Sequence, residues 1–168
     1  MNILVSLVIA IQSQAAMPVY VDQVNGISIP IPSGWSVTHT NDPVTILKMS
    51  DSVGRISNLM LRKQAPLAAI RDGSMTWQTF VGMVVKGSRK QIRDYATSKI
   101  EATKIGGNPA CYAYAGGTIN GKVKIKNVQL FIATEKHFYV LTGTSSNEVF
   151  DKQKALFDSV CKGFKVQL

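Results

Sequence analysis

The sequence contains few of the residues that build metal centres and disulfide frameworks. Only two of its 168 residues are Cys and two are His, too few for an all-cysteine zinc site or for a domain held together by several disulfides. The histidines, His39 and His137, occur in no metal-binding or nucleophile motif. We therefore predict no metal, no cofactor and no catalytic residue, and keep a hydrolase with a site assembled from distant residues as an alternative.

Long hydrophobic runs are also absent, since no stretch reaches the roughly 18 apolar residues that a membrane-spanning helix needs. Residues 3–11 form a shorter uncharged apolar run, which is typical of a secretory signal. Ser13 and Ala15 are small, as a signal peptidase requires for a cut after Ala15. We predict a signal peptide at 1–15, one domain at 16–168, and a periplasmic or secreted protein. A buried N-terminal strand is the alternative, because no Lys or Arg precedes the run.

Export changes the interpretation of the two cysteines, Cys111 and Cys161. In an oxidising compartment an even pair of cysteines most simply forms a disulfide, and we predict a Cys111–Cys161 bridge. Two buried free thiols are the first alternative. A reactive or metal-binding pair is the second, although no C-x-x-C spacing and no adjacent His supports it.

Acidic residues are scarce relative to basic ones, 10 against 19, which gives a formal net charge of +9. Most of the surplus lies in residues 86–136, where ten basic and three acidic residues give 10 − 3 = +7. Such a surplus attracts an acidic protein face or an anionic membrane surface. Nucleic acid is a less expected partner, because the aromatic residues do not alternate with the basic ones. The alternative is a surface that serves solubility alone.

Alternating and helical hydrophobic patterns predict a mixed fold. Apolar residues at helical spacing predict one helix beginning near Trp77 and a second over residues 149–163, each with an apolar stripe that covers a sheet. Asn120-Gly121 predicts a tight hairpin turn, because both residues tolerate positive φ. Period-two alternation predicts strands at 26–32, 35–38, 44–49, 56–62, 95–105, 110–118, 122–133, 137–142 and 164–166.

The strand after Asn120-Gly121 carries the candidate binding residues. Lys122, Lys124 and Lys126 share one face by the period of two, and we predict that they contact an anionic partner together with Trp35. Beyond Asn127 the same face becomes apolar, so either a bulge shifts the register or the strand runs into a covered region. The alternative reading of the lysines is a solvated strand end that resists edge aggregation.

The order of these elements resembles the PsbP-like superfamily, which includes PsbP, DcrB-type periplasmic proteins and Mog-like proteins. The resemblance extends over residues 25–168 and rests on five short motifs: I-P-x-G-W at 31–35, G-N-P-A-C-Y-A-Y at 107–114, N-G-K at 120–122, F-Y-V-L-T at 138–142 and F-K-V at 164–166. It implies an α+β fold, an antiparallel β-sheet sandwiched by α-helices (α/β/α), with no catalytic machinery common to the family. No photosystem-binding or Ran-binding motif is matched residue by residue.

These observations favour an exported, non-catalytic binding or accessory protein of the cell envelope that acts through protein–protein contact. An immunity or chaperone-like partner of a secreted effector is an alternative that rests on fold analogy only. The identity of the partner is not encoded in any motif of this sequence.

Overall fold

The computed structural model describes residues 17–40, 42–51 and 57–166, so the predicted signal peptide at 1–15 lies outside the described residues. The described part contains three helices, α1 (Ala68–Arg71), α2 (Trp77–Ser88) and α3 (Phe150–Gly163). Its strands are β1 (Val19–Asp22), β2 (Ile27–Pro30), β3 (Trp35–His39), β4 (Thr45–Asp51), β5 (Ser57–Gln64), β6 (Ile92–Ile105), β7 (Asn108–Ile119), β8 (Val123–Ala133), β9 (Phe138–Ser146) and β10 (Lys165–Val166).

The strands form two antiparallel sheets. The larger has seven strands in the order β3-β4-β5-β9-β8-β7-β6, and the smaller has three in the order β1-β2-β10. Strands β7, β8 and β9 are connected by short turns, and each pairs with the strand that follows it in the sequence. Consecutive strands joined in this way usually lie side by side. The predicted antiparallel arrangement is confirmed.

Helices cover both faces of the large sheet, because alternate residues of its strands point to opposite sides. On β8, Leu130 packs in a core with Phe157 of α3, whereas the adjacent Phe131 packs in a second core with Val81 of α2. We call these two sides the α3 face and the α2 face. Ile27 of β2 also contributes to the α3-face core. The architecture is the predicted α/β/α sandwich.

The turn at Asn120-Gly121 is confirmed, with φ angles of 50° and 66°. Strand β8 then pairs without interruption from Val123 to Ala133, so no bulge occurs at Asn127 and the strand passes from solvent into the core. The register shifts lie instead in β4, between Thr45 and Leu47, and twice in β6. The expectation of a covered region, not a shifted register, was therefore the correct alternative.

Strand β1 and helix α1 were not predicted from the sequence. Each contains only four residues, which is too short for a hydrophobic period to be recognised. Strand β1 exists because it pairs with β2, and β10 pairs with the other edge of β2. These pairings join distant parts of the chain, and local patterns carry no information about them.

The predicted Cys111–Cys161 disulfide is wrong, since both side chains are buried free thiols. Cys111 lies in the α2-face core and Cys161 in the α3-face core, so the sheet separates them. Burial raises the pKa of Cys111 to about 11 and that of Cys161 to about 12, which keeps both protonated at neutral pH. Small residues on the Cys111 face do leave room for a helix, as predicted, but that helix is α2.

Candidate functional site

Two of the three predicted lysines, Lys124 and Lys126, lie on the α3 face of β8, and Lys122 lies in the turn before the strand. Lys124 is paired with Thr118 of β7, which is paired with Arg93 of β6. Directly paired residues in neighbouring strands share a face, so Arg93 joins the lysines. Lys122 is exposed in the turn, Lys124 is exposed and Lys126 is half-buried. Positive residues of β6 and β8 therefore lie on the same face, on either side of the uncharged Thr118 of β7.

Helix α3 holds the innermost lysine in place. The Lys126 Nζ atom lies 5.6 Å from the centre of the Phe150 ring and 3.7 Å from the Asp151 carboxylate. On the next turn of the helix, the Lys154 Nζ atom lies 4.8 Å from the centre of the Tyr114 ring and 2.6 Å from Asp158. Ammonium groups over aromatic faces are stabilised electrostatically. Both lysines therefore have defined positions beside an aromatic ring.

A third cation completes this side of the sheet. The Lys99 Nζ atom on β6 lies 2.5 Å from the Glu101 carboxylate. Hydrogen bonding to Glu101 raises the pKa of Lys99, and hydrogen bonding to Asp158 likewise raises the pKa of Lys154. Both side chains therefore remain ammonium groups at neutral pH. We call Arg93, Lys99, Lys122, Lys124, Lys126 and Lys154 the basic face.

A pocket of about 520 Å³ opens between α3 and strands β6 to β8, in the middle of the basic face. The Tyr114 and Phe150 side chains line it, together with three ammonium groups from Lys99, Lys126 and Lys154. On the strand side the pocket is lined by two small residues, Ala96 and Gly116, which are directly paired. The lining thus combines apolar and aromatic surface with three ammonium groups and the Asp151 carboxylate.

Trp35 does not lie with the lysines. It is half-buried on β3, an edge strand of the large sheet, whereas Lys126 lies on β8. Its indole ring packs edge-on against Phe157, with ring centres 6.1 Å apart. The structure therefore places Trp35 at the margin of the α3-face core and does not bring it together with the three lysines.

The two histidines occupy separate environments. The His39 Nδ1 atom lies 3.4 Å from the Tyr20 hydroxyl, and the His137 Nδ1 atom lies 3.5 Å from the Tyr139 hydroxyl. Desolvation and the nearby Lys63 and Lys136 ammonium groups lower the pKa of His137. Within residues 17–40, 42–51 and 57–166, no group of three or more His, Cys, Asp or Glu side chains is arranged to hold a metal ion.

A second cavity, of about 630 Å³, lies beside the turn that joins β6 to β7 and the turn that joins β8 to β9, where Asn108 and His137 line it.

None of the helices in the described part of the chain has the length and apolar character to cross a membrane.

Sequence reasoning missed Arg93, Lys99 and Lys154 as members of the site, and it missed the Tyr114 and Phe150 rings. The charge surplus over residues 86–136 included the first two, but it did not place them on the same face as the predicted lysines. Only the i, i+4 pair of Lys154 with Asp158 left a local signal. The remainder depends on strand register.

No protein-family model and no curated protein matches this sequence. Solved structures do match. Cyanobacterial PsbP (CyanoP) from Synechocystis is 17% identical with a TM-score of 0.68, covering 90% of this chain and 93% of that one. The Saccharomyces cerevisiae Ran-binding protein Mog1p is 9% identical with a TM-score of 0.59, covering 90% and 96%.

A third match is LpqN, described as involved in cell envelope biogenesis of Mycobacterium tuberculosis. It is 13% identical with a TM-score of 0.56, and the match covers 84% of this chain and 83% of that one. Identities this low establish a common fold and nothing about activity. The resemblance seen in the sequence is thus confirmed at the level of architecture: this chain has the PsbP-like fold that CyanoP and Mog1p share.

Proposed function

We propose that this protein is a non-catalytic binding protein that captures an acidic segment of a partner protein on its basic face. The observation that carries the proposal is that Arg93 of β6 and Lys124 and Lys126 of β8 lie on one face of the sheet, on either side of the uncharged β7. A cluster of charge of one sign steers an oppositely charged partner and fixes its orientation.

The charges on the basic face are not fully neutralised by their neighbours. Its six cations have four acidic partners, Asp94, Glu101, Asp151 and Asp158, which leaves 6 − 4 = +2. Within the described residues, neither Lys122 nor Lys124 forms an ion pair. These two ammonium groups are therefore available to a partner without breaking an existing contact.

The spacing of the lysines suits an extended peptide. Alternate residues of a strand are about 7 Å apart, so Lys124 and Lys126 present charges at the interval at which an extended chain presents alternate carboxylates. Lys122 adds a further positive charge in the adjoining turn. The site is also recessed beside α3, and a protein segment enters such a corner more readily than a flat membrane surface does. We therefore favour an acidic protein segment over anionic lipid.

The structural neighbours are compatible with a binding role and an envelope location. Mog1p is named as a Ran-binding protein, and LpqN is described as involved in cell envelope biogenesis.

We extend the proposal to an exported protein whose signal peptide is removed after Ala15, because residues 3–11 have the character of a secretory signal. Mass spectrometry of the mature protein should find residue 16 at its N-terminus, and an intact Met1 in the cell interior would refute export.

Replacing Lys122, Lys124 and Lys126 with Gln should weaken binding of a fluorescein-labelled ten-residue polyglutamate peptide by about tenfold or more, since steering and contact charges are both removed. Fluorescence anisotropy measures the affinity. The matched control is Lys86, Lys90 and Lys104 to Gln, which removes the same charge from exposed positions outside the basic face.

The control variant should bind the peptide as the unmodified protein does, and both variants should unfold at the same temperature. Equal weakening by the two variants would mean that net charge alone drives binding, and the proposal would be wrong. Tight binding to vesicles of anionic phospholipid, with no binding of polyglutamate, would identify a membrane surface as the ligand instead.

A further inference from the structure

We infer that the pocket between α3 and strands β6 to β8 is an anchor site for an aromatic side chain of the acidic partner. The inference rests on the proposed function, because it specifies the chemistry of the segment that the basic face captures. The partner would carry a large aromatic residue with carboxylates next to it in the sequence.

The interior of the pocket suits a ring. Its volume, about 520 Å³, falls within the range of pockets that bind organic ligands, roughly 300–1,000 Å³. Ala96 and Gly116 are paired at its base and leave the space between the strands and α3 unfilled. The Tyr114 and Phe150 rings form its walls, and aromatic pairs add stabilisation beyond the area that they bury.

The mouth of the pocket suits carboxylates that flank the ring. Lys126 lies over Phe150 and Lys154 over Tyr114, so both ammonium groups lie beside the walls where the ring would enter. Asp151 also lines the pocket, and Lys99, Lys126 and Lys154 each already contact a carboxylate. A carboxylate next to the ring in the partner would therefore meet Lys124, which lies two residues from Lys126 on the same face of β8. An aromatic residue between acidic ones satisfies the interior and the mouth together.

The existing ion pairs argue against a small inorganic anion as the ligand. Lys99, Lys126 and Lys154 each already contact a carboxylate, from Glu101, Asp151 and Asp158. A phosphate or sulfate ion would compete with these carboxylates and would leave the apolar interior empty. Burial of a ring supplies affinity that does not depend on displacing them, as at the aromatic hot spots of protein interfaces.

The experiment compares two ten-residue peptides of glutamate that differ only at the centre, one with Trp and the other with Ser. The unmodified protein should bind the Trp peptide about tenfold more tightly. Ala96→Trp fills the pocket from an exposed position on β6 and should abolish this preference. Ala102→Trp is the control, because Ala102 is exposed on the same strand and is paired with Cys111, on the α2 face.

The outcomes distinguish failure of the aromatic anchor from failure of the proposed function. Equal affinity of the unmodified protein for the two peptides would refute the anchor while the capture of acidic segments stands. Binding of neither peptide would refute the proposed function itself. Retention of the Trp preference in Ala96→Trp would show that the ring binds elsewhere. A measurement that needs no variant is nuclear magnetic resonance, in which the Trp peptide but not the Ser peptide should shift the ring protons of Tyr114 and Phe150.

Discussion

Replacing Phe157 with Ala should lower the free energy of unfolding by about 3–5 kcal/mol. The side chain has no solvent exposure and lies at the centre of the α3-face core. It packs against Trp35 and Phe150, with ring centres 6.1 Å and 6.3 Å away. It also occupies the space that Gly143 of β9 leaves, where an added Cβ atom would come within 2.8 Å of the ring. Truncation would therefore leave a cavity between helix and sheet.

Denaturant unfolding followed by circular dichroism measures this loss. The matched control is Met83→Ala on α2, where the side chain is 57% exposed and the expected change is within about 0.5 kcal/mol. A loss below about 1 kcal/mol at Phe157 would contradict the packing of α3 on the sheet, and with it the position of the basic face.

Adding one methyl group should have opposite effects at two glycines. Gly117→Ala should lower the free energy of unfolding by about 1–3 kcal/mol. Its Cβ atom would come within 2.8 Å of the Arg93 carbonyl oxygen and 3.0 Å of the Tyr95 Cα atom. Both are backbone atoms of the irregular part of β6, so relief requires that the strand moves. At Gly82, in the interior of α2, an added Cβ atom would meet nothing within 4 Å apart from the adjoining backbone of its own helix. Gly82→Ala should therefore raise the free energy of unfolding by about 0.5–1 kcal/mol.

The same unfolding measurement compares the two variants. A change in the free energy of unfolding of opposite sign at the two positions is expected, because Gly117 lies where strands pack closely, whereas Gly82 only weakens its helix. Stabilisation by Ala at both positions would contradict the close approach of β6 to β7. Because that approach carries Arg93 into the basic face, this result would also remove Arg93 from the site.

Local signals in the sequence account for much of the fold. The Asn120-Gly121 turn, the alternation on either side of it and the helical stripe beginning at Trp77 each depend on neighbouring residues, and each agrees with the structure. Alternation also placed Lys124 and Lys126 on one face of their strand correctly, since the pairing of β8 has no shift, whereas Lys122 lies in the preceding turn.

Features that depend on the pairing of distant strands could not be predicted from local sequence patterns. Alternation placed Cys111 on a face that a helix covers, but it contains no information on which helix. Two register shifts in β6 bring Arg93, Ala96 and Lys99 to one side of the sheet although their numbers differ in parity. A strict period of two separates Ala96 from the other two. The assembly of the basic face and its pocket thus required the paired structure.

Recognition of an acidic protein segment on the α3 face of the sheet is tested most directly by titrating the ¹⁵N-labelled protein with the polyglutamate peptide and following the backbone amide chemical shifts. We predict that the shifts that move cluster at Arg93, Lys99, Lys124, Lys126 and Lys154. Shifts confined to α2, or to the turn at His137 beside the second cavity, would contradict the claim.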